Sequence, residues 1–287
     1  MIEILKAILF GIVEGITEWL PISSTGHMIL LNEIVSLDVS DEFYSMFEVV
    51  IQLGAILAVV ILFWNQIWPF GKKDNKEPLA KTGAGAYIKW DIFKLWFHIL
   101  VSCVPAAIVG VLFDEQLEAL FLQLPDSSNY VDPVWCSFYC DRELSQRKKG
   151  KGEYLVGIDY KLAFWIGMFQ LIAAVFPGTS RSGATIVGAL LLGVSRTVAA
   201  EYTFFLAIPV MFGASLLKGA KFLMNATMTS QEGVILVVGM VVAFAVSLIV
   251  IKFLMGYIKK HDFKVFGWYR IILGVIVLLC GFAGFIG

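Results

Sequence analysis

The stretch EGITEWLPISSTGH, residues 14–27, interrupts an apolar beginning of the chain. It lies between the apolar runs 4–13 and 28–31 and carries two carboxylates, a Ser-Ser-Thr run and a histidine. Two short apolar helices joined by such a polar turn are typical of a re-entrant pair, because irregular backbone at membrane depth must face protein or a cavity. The sequence therefore predicts a re-entrant helix pair over 3–31.

The composition places the chain in a membrane. Of its 287 residues, 59% are hydrophobic and 16% are charged, and the mean hydropathy is +0.81. Soluble domains have about a quarter of their residues charged. The net charge of -1 leaves no basic face for a phosphate backbone, so we expect no nucleic-acid partner. The lipid bilayer is the expected environment.

Apolar runs predict the membrane-spanning helices. A bilayer core needs about 20 apolar residues per helix. A second region, 161–195, repeats the half-helix, turn and half-helix pattern of 3–31 and is predicted as a second re-entrant pair. The fold class is therefore an all-α polytopic integral membrane protein, with predicted spans at 43–64, 93–113, 201–217, 234–256 and 266–286.

The two polar turns resemble each other and indicate an internal duplication. PISSTG at 21–26 corresponds to PGTSRS at 177–182, and Glu14 and Gln170 each precede the proline by seven residues. Each repeat would hold one re-entrant pair and three spans, so it would cross the membrane an odd number of times. The sequence therefore predicts two inverted-topology repeats, 1–160 and 161–287.

The first repeat has no credible third span. The atypical segment 119–150 contains prolines and charges where a helix is needed, so the third helix is degraded at about 119–146. The basic loop 142–161 lies on the same side as the basic loop 65–92 only if the chain crosses before it. The sequence leaves open a frameshift or sequence error, or a distorted span or surface loop.

The cysteines and the first residues of the chain indicate no further functional site or processing signal. The cysteines have neither a paired metal-ligand spacing nor a disulfide framework. The first residues lack the basic start and small-residue cleavage site of a removable signal peptide, so we expect the first helix to be retained. The four cysteines are Cys103, Cys136, Cys140 and Cys280.

Glu14 and Glu18 are the first candidate site residues. They are four residues apart, so on a helix they share one face. A carboxylate in hydrocarbon costs several kcal/mol (about 2.5–3.5 on insertion scales) unless it faces water, a cation or a partner. Two in one turn indicate a functional pair, and hard cations such as Mg²⁺ or Ca²⁺ prefer such oxygens. The alternative is a pair of helix-end charges at the headgroup level.

The two polar turns supply candidate groups for an anion. Ser23, Ser24 and Thr25 lie near a predicted helix start, where backbone N–H groups bind phosphate, and His27 adds an imidazole. Arg181 lies between two apolar runs and needs an anionic partner, either a carboxylate or a ligand phosphate. If the turns meet, Arg181 faces Glu14, Glu18 and His27. A helix cap or a structural salt bridge is the alternative.

The sequences EGITEWLPISSTGH at 14–27 and PGTSRSGAT at 177–185 together resemble the bacterial undecaprenyl-diphosphatase family, which is associated with bacitracin resistance. The similarity continues through FEVVIQLG at 47–54 and GVSR at 193–196, and it covers nearly the whole chain except roughly 119–150. It implies hydrolysis of undecaprenyl diphosphate to undecaprenyl phosphate at the outer face of the bacterial inner membrane, recycling the carrier of peptidoglycan synthesis. It also implies a divalent cation, Mg²⁺ or Ca²⁺.

The resemblance also implies residue roles. Glu14 and Glu18 match the acidic pair of the family, and Ser24 and His27 match its serine and histidine. The chemistry of carboxylates makes Glu14 and Glu18 the predicted metal ligands. Arg181 matches its phosphate-binding arginine, which completes the predicted catalytic set. The predicted phosphate-binding residues are Ser23, Thr25, Ser180, Arg181, Ser182 and Thr185.

Several alternatives remain open at this point. The nucleophile is Ser24, His27 or a metal-bound water, with His27 favoured as nucleophile or base. A transporter could bind a polyprenyl diphosphate lipid at the same residues without cleaving it. A phosphatase of the phosphatidic-acid type is excluded because no histidine and aspartate follow Ser180-Arg181 at the required positions. The sequence does not decide between a monomer and a homodimer.

Overall fold

The computed structural model describes residues 1–72, 75–112, 155–176 and 179–282. These residues form helices, together with two isolated β-bridges and two short 3₁₀ turns, Gly83–Tyr87 and Leu155–Gly157. The predicted helical class is therefore confirmed for this part of the chain. The atypical segment 119–150, with the degraded helix at about 119–146, lies outside the described residues, as do Cys136 and Cys140.

Eleven helices are defined within the described ranges, and their bounds follow chain order. They are α1 Ile2–Thr17, α2 Ser24–Ile34, α3 Asp41–Val50, α4 Gln52–Leu62, α5 Trp64–Ile67, α6 Trp90–Leu112, α7 Tyr160–Val175, α8 Arg181–Leu191, α9 Arg196–Asn225, α10 Ser230–Ile258 and α11 Lys264–Phe282.

Four helical segments of the described chain are long and apolar enough to cross a membrane: Asp41–Leu62, Trp90–Gly110, Arg196–Asn225 and Ser230–Ile258. They overlap four of the five predicted spans, which confirms a multi-pass membrane protein. Asp41–Leu62 combines α3 and α4, which meet at Ile51. The fifth predicted span overlaps α11, and residues 283–286 lie outside the described part.

The short helices α1, α2, α7 and α8 occupy the two regions predicted as re-entrant. Both second helices begin with a serine cap. Ser23 Oγ accepts a hydrogen bond from the Gly26 N–H (3.3 Å), and Ser180 Oγ accepts one from the Gly183 N–H (3.1 Å). Each cap satisfies a backbone donor that the helix leaves free. By their capping role, Ser23 and Ser180 are equivalent positions. Aligning Pro21 with Pro177 instead places Ser24 opposite Ser180, so the two alignments differ by one residue.

Glycines allow the first helix of each predicted repeat to approach a long span. On α1, a Cβ at Gly11 would lie 2.6 Å from the Gly239 carbonyl oxygen of α10, and one at Gly15 would lie 2.8 Å from that of Ala243. On α7, a Cβ at Gly167 would clash with the Ser102 carbonyl of α6. Such small residues bring helices close enough for dense packing in a membrane.

The end of α1 is held by an aromatic contact. Trp19 is fully buried and packs edge-on against Phe204 of α9, with ring centroids 5.2 Å apart. Aromatic pairs of this geometry add about 0.5–1.5 kcal/mol beyond area burial. Because Trp19 follows Glu18 directly, this contact fixes where the second carboxylate of the acidic pair lies relative to α9.

Candidate functional site

Glu18 and Arg181 join the two polar turns. The Arg181 Nη2 atom lies 2.7 Å from Glu18 Oε1, and both side chains are largely buried, at 17% and 7% exposure. Glu18 ends α1, and Arg181 is the first residue of α8. The predicted meeting of the two turns is therefore observed at this pair. A buried charge is tolerated when it is paired in this way.

Ser24 completes a chain of contacts with the same carboxylate. Its Oγ donates to Glu18 Oε2 at 2.5 Å, so the two oxygens of Glu18 engage a serine and an arginine separately. A short O–H···O⁻ bond of this kind is a strong, charge-assisted interaction. It also leaves the serine proton next to a group that can accept it.

A cavity of about 200 Å³ opens at this point. Its polar wall comes from both turns, and its apolar wall comes from α7 and α9. The lining residues are Glu18, Ser23, Ser24, Thr25, Gln52, Ala173, Thr179, Ser180, Arg181, Ser182, Val210, Met211 and Ala214.

The hydroxyl groups on α8 and at its N-cap divide into two sets. Ser180 and Ser182 line the cavity, with their Oγ atoms 3.1 Å apart, and Ser182 also donates to the Glu18 carbonyl at 3.3 Å. Thr185 lies outside that lining; its Oγ1 donates to the Arg181 carbonyl at 2.9 Å and lies 3.0 Å from Thr203 Oγ1 of α9. Thr185 therefore contacts the backbone of the arginine.

One end of the Arg181 guanidinium is unpaired in the described part of the chain. Nη2 contacts Glu18 and the Met211 sulfur (3.4 Å), whereas Nη1 is buried and has no hydrogen-bond partner within the described ranges. An unpaired buried donor costs about 1–3 kcal/mol, more for a charged group. Nη1 has no exposed surface, so an anion in the cavity would reach it only after a shift of the side chain.

Glu14 is the second unsatisfied group. It is 1% exposed, and neither carboxylate oxygen has a hydrogen-bond partner in the part of the chain that the structure describes. It lies one helical turn before Glu18, outside the cavity lining. The predicted shared face is consistent with these positions, and the free oxygens of Glu14 are suited to a cation.

His27 does not line the cavity. Its Nδ1 lies 2.6 Å from the Ser23 carbonyl oxygen, and its Nε2 lies 2.7 Å from the Tyr269 hydroxyl of α11. The two rings are parallel, with centroids 5.7 Å apart. The structure thus brings Glu18, Ser24 and Arg181 together at the cavity, whereas His27 is not among the cavity-lining residues.

Two polar residues of the site were missed in the sequence. Gln52 lines the cavity where α3 meets α4, and Arg270 of α11 is buried and donates from Nη1 to the Ile22 carbonyl at 2.6 Å. The signal for Arg270 was present, because it is an arginine inside an apolar run, as is Arg181. An amide in the middle of an apolar span was the corresponding signal for Gln52.

Comparison with known proteins gives matches along almost the whole chain. The family described as bacitracin resistance protein BacA matches residues 7–276. A protein named undecaprenyl-diphosphatase from Desulfitobacterium hafniense is 58% identical over 279 residues, covering 97% of this chain and 96% of the relative. Undecaprenyl-diphosphatase 1 from Clostridium acetobutylicum is 57% identical and covers 97% of both chains.

A third relative, undecaprenyl-diphosphatase from Enterococcus faecalis, is 55% identical over 97% of both chains. An alignment of 279 of the 287 residues spans both polar turns and most of the helices that bring them together. The resemblance inferred from the two motifs is therefore confirmed, and the chain belongs to the bacitracin resistance protein BacA family.

Proposed function

We propose that the chain is a membrane phosphatase that hydrolyses undecaprenyl diphosphate to undecaprenyl phosphate and inorganic phosphate. The observation that carries the proposal is the Glu18 carboxylate, which binds Ser24 through one oxygen and Arg181 through the other at a cavity wall. The relatives' names give the same substrate. The reaction would return the lipid carrier to peptidoglycan synthesis and confer bacitracin resistance.

Arg181 would bind the terminal phosphate. Its Nη1 is a cationic donor without a partner among the described residues, its Nη2 is held by Glu18, and the residue lines the cavity, so a shift of the guanidinium would bring Nη1 to a bound anion. The serine-capped starts of α2 and α8 add backbone N–H groups and the positive ends of two helix dipoles. Ser23, Thr25, Ser180 and Ser182 line the same cavity and offer hydroxyl groups to the phosphate oxygens.

Ser24 is the group best placed to attack the terminal phosphorus. Its Oγ forms the new P–O bond, its proton moves to Glu18, and the bond to the bridging oxygen breaks, releasing undecaprenyl phosphate. Water then attacks the phosphoserine, and the Ser24–phosphate bond breaks to release inorganic phosphate. Glu18 first passes the serine's proton to bulk water. It then takes a proton from the attacking water and delivers it to Ser24 Oγ as the Ser24–phosphate bond breaks, which restores both groups.

A divalent cation, Mg²⁺ or Ca²⁺, fits beside this site. Glu14 and Glu18 would hold it, because Glu14 presents two buried oxygens without partners. The described residues contain no cluster of three or more metal-ligating side chains, so substrate phosphate would complete the ligand set, as is usual for Mg²⁺. When bound, the cation supplies positive charge against the phosphate oxygens.

Removing the cation is expected to lower phosphate release by at least about a hundredfold, because several kcal/mol of charge stabilisation are lost. The measurement is activity of the purified protein after EDTA treatment, followed by titration with Mg²⁺ or Ca²⁺. Glu14→Gln should raise the cation concentration needed for half-maximal activity, whereas Glu33→Gln, on the exposed face of α2, should not. Full activity in EDTA would contradict a cation at Glu14 and Glu18.

The function itself is tested with detergent-solubilised protein and a polyprenyl diphosphate. Stoichiometric release of inorganic phosphate and polyprenyl phosphate supports hydrolysis. Counterflow of intact substrate in liposomes without phosphate release would instead identify a transporter. The two assays separate the two functions that the polar residues could serve.

We further propose that 1–160 and 161–287 are inverted repeats with the cavity facing the outer side of the inner membrane. Supporting this, α1 packs chiefly on α10 while α7 packs chiefly on α6, so each re-entrant helix packs on a span of the other half. Gly11 and Gly167, which make these contacts, precede Glu14 and Gln170 by three residues in each case. A homodimer stays a prediction.

Thiol labelling in intact cells tests this orientation. In a variant with the four native cysteines replaced by serine, Thr25→Cys at the cavity should react with an impermeant reagent added outside. Lys81→Cys, in the basic loop after α5, should react only after the membrane is permeabilised. The opposite pattern would place the cavity on the inner side and contradict the proposal.

A further inference from the structure

The feature that the proposed chemistry does not use is the contact between His27 and Tyr269. The Ser23 carbonyl oxygen can only accept, so His27 Nδ1 donates its hydrogen to it at 2.6 Å. In the neutral ring, Nε2 then accepts from the Tyr269 hydroxyl at 2.7 Å. Both nitrogens are therefore engaged, and neither lies at the cavity where the phosphate would bind.

The carbonyl that His27 holds belongs to a strained residue. Ser23 has φ of +68°, and no other non-glycine residue in the described ranges has a positive φ. A left-handed backbone costs a non-glycine residue about 1–2 kcal/mol, so surrounding contacts must maintain it. Ser23 receives such contacts from its own cap to Gly26 and from His27.

Two consecutive residues of α11, a helix that is distant in sequence, hold this turn through hydrogen bonds. Arg270 donates to the Ile22 carbonyl, and Tyr269 binds His27, which in turn holds the Ser23 carbonyl. The next residue, Ser24, begins α2 and donates to Glu18. The direction of the Ser24 hydroxyl thus depends on a backbone turn that α11 holds through consecutive side chains.

We propose that His27 and Tyr269 are positioning residues that hold the strained Ser23 turn so that Ser24 faces Glu18. His27 then acts through a donated hydrogen bond and takes no proton from Ser24. The inference rests on the proposed role of Ser24 as nucleophile. It assigns Tyr269 a function in the reaction and replaces the sequence-based preference for His27 as nucleophile or base.

The test compares two replacements of His27. Asparagine carries an amide N–H on the same carbon as Nδ1, so His27→Asn keeps the donor to the Ser23 carbonyl but cannot act as a base. We expect His27→Asn to retain kcat within about tenfold of the parent, and His27→Ala to lose about a hundredfold, as misplacement by an ångström does. KM should change little in either variant.

Tyr269 supplies an independent measurement. Tyr269→Phe keeps the ring against His27 and removes only the hydroxyl, so folding should be preserved. We expect kcat of Tyr269→Phe to fall about threefold to tenfold. The double variant of Tyr269→Phe and His27→Ala should have the same kcat as His27→Ala alone, because both changes remove one contact. Tyr160→Phe is the matched control, since Tyr160 also packs on a histidine, His98, but lies away from the cavity.

The pH dependence of kcat distinguishes positioning from base catalysis. Within the described residues, Tyr269 contacts His27 and the charge of Arg270 acts on it, and neither group would replace a lost base near neutral pH. The acid limb of the profile should persist in His27→Asn. Equal loss in His27→Asn and His27→Ala, with that limb gone, would overturn the inference. An active Ser24→Ala would instead refute the proposed function of Ser24, so the two failures are distinguishable.

Discussion

Arg181→Ala is expected to lower kcat/KM for a polyprenyl diphosphate by about a thousandfold. Arginines that meet developing phosphate charge contribute about 10³–10⁵ in rate, and a single lost donor in a preorganised site costs about 10²–10³. Here the change removes the free Nη1 donor and also leaves Glu18 without its cationic partner. The measurement is phosphate release by the purified variant over a range of substrate concentrations.

Arg181→Lys and Lys221→Ala are the controls for this loss. Lysine restores the positive charge, but its single ammonium group cannot bind Glu18 and an anion through two separate nitrogens as the guanidinium can. Arg181→Lys should therefore recover only part of the activity. Lys221 is exposed near the end of α9, and Lys221→Ala should match the parent. Equal activity of Arg181→Ala and Lys221→Ala would refute the assignment of the site.

The pairing of the two turns could be predicted because charge in hydrocarbon needs a partner. Arg181 and the acidic pair were the obvious opposite charges inside apolar runs, and Glu18 is the carboxylate that meets the arginine. Helical periodicity placed Glu14 beside Glu18 on one face. It could not say which of the two would reach the cavity, because that depends on how Trp19 packs against Phe204.

The surroundings of His27 could not be predicted, because its partner lies 242 residues later in the chain. Because His27 follows Ser24 by three residues, the sequence suggested a direct catalytic contact between them. Residues three apart on a helix lie on the same face, but this does not make their side chains bond to each other. The two ring nitrogens of His27 instead contact the Ser23 carbonyl and the Tyr269 hydroxyl. Long-range neighbours of this kind follow from the packing of α11, which no local pattern encodes.

The observed helix ends differ from the ends of the predicted spans because side-chain contacts, and not hydropathy, determine where a helix stops. Hydropathy marks the apolar middle of a helix, whereas capping groups set its ends. The helix α10 begins at Ser230, four residues before the predicted span, because Thr229 and Glu232 form a capping box. The helix break at Ile51, next to the cavity-lining Gln52, cannot be detected from the mean hydropathy of the segment, because the segment is apolar on average across the break.

Ser24→Ala is expected to reduce kcat by at least about a thousandfold, because removal of a nucleophile forces the reaction through direct water attack. Substrate should still bind, since Arg181, Ser180 and Ser182 remain at the cavity. Ser45→Ala is the matched control: Ser45 lies on α3 beside Lys218, outside the cavity lining, and its loss should leave activity unchanged.

A trapped phospho-enzyme identifies the nucleophile directly. Rapid quenching during turnover, followed by mass spectrometry, should place phosphate on Ser24, because its Oγ lies at the cavity and 2.5 Å from the Glu18 oxygen that accepts its proton. The quench should be repeated at alkaline pH, since phosphohistidine is lost in acid whereas phosphoserine survives. Phosphate on His27 would require its ring to leave both the Ser23 carbonyl and Tyr269, and it would contradict the Ser24 assignment. No adduct on either residue, together with substantial activity in Ser24→Ala, would favour water activated beside Glu18.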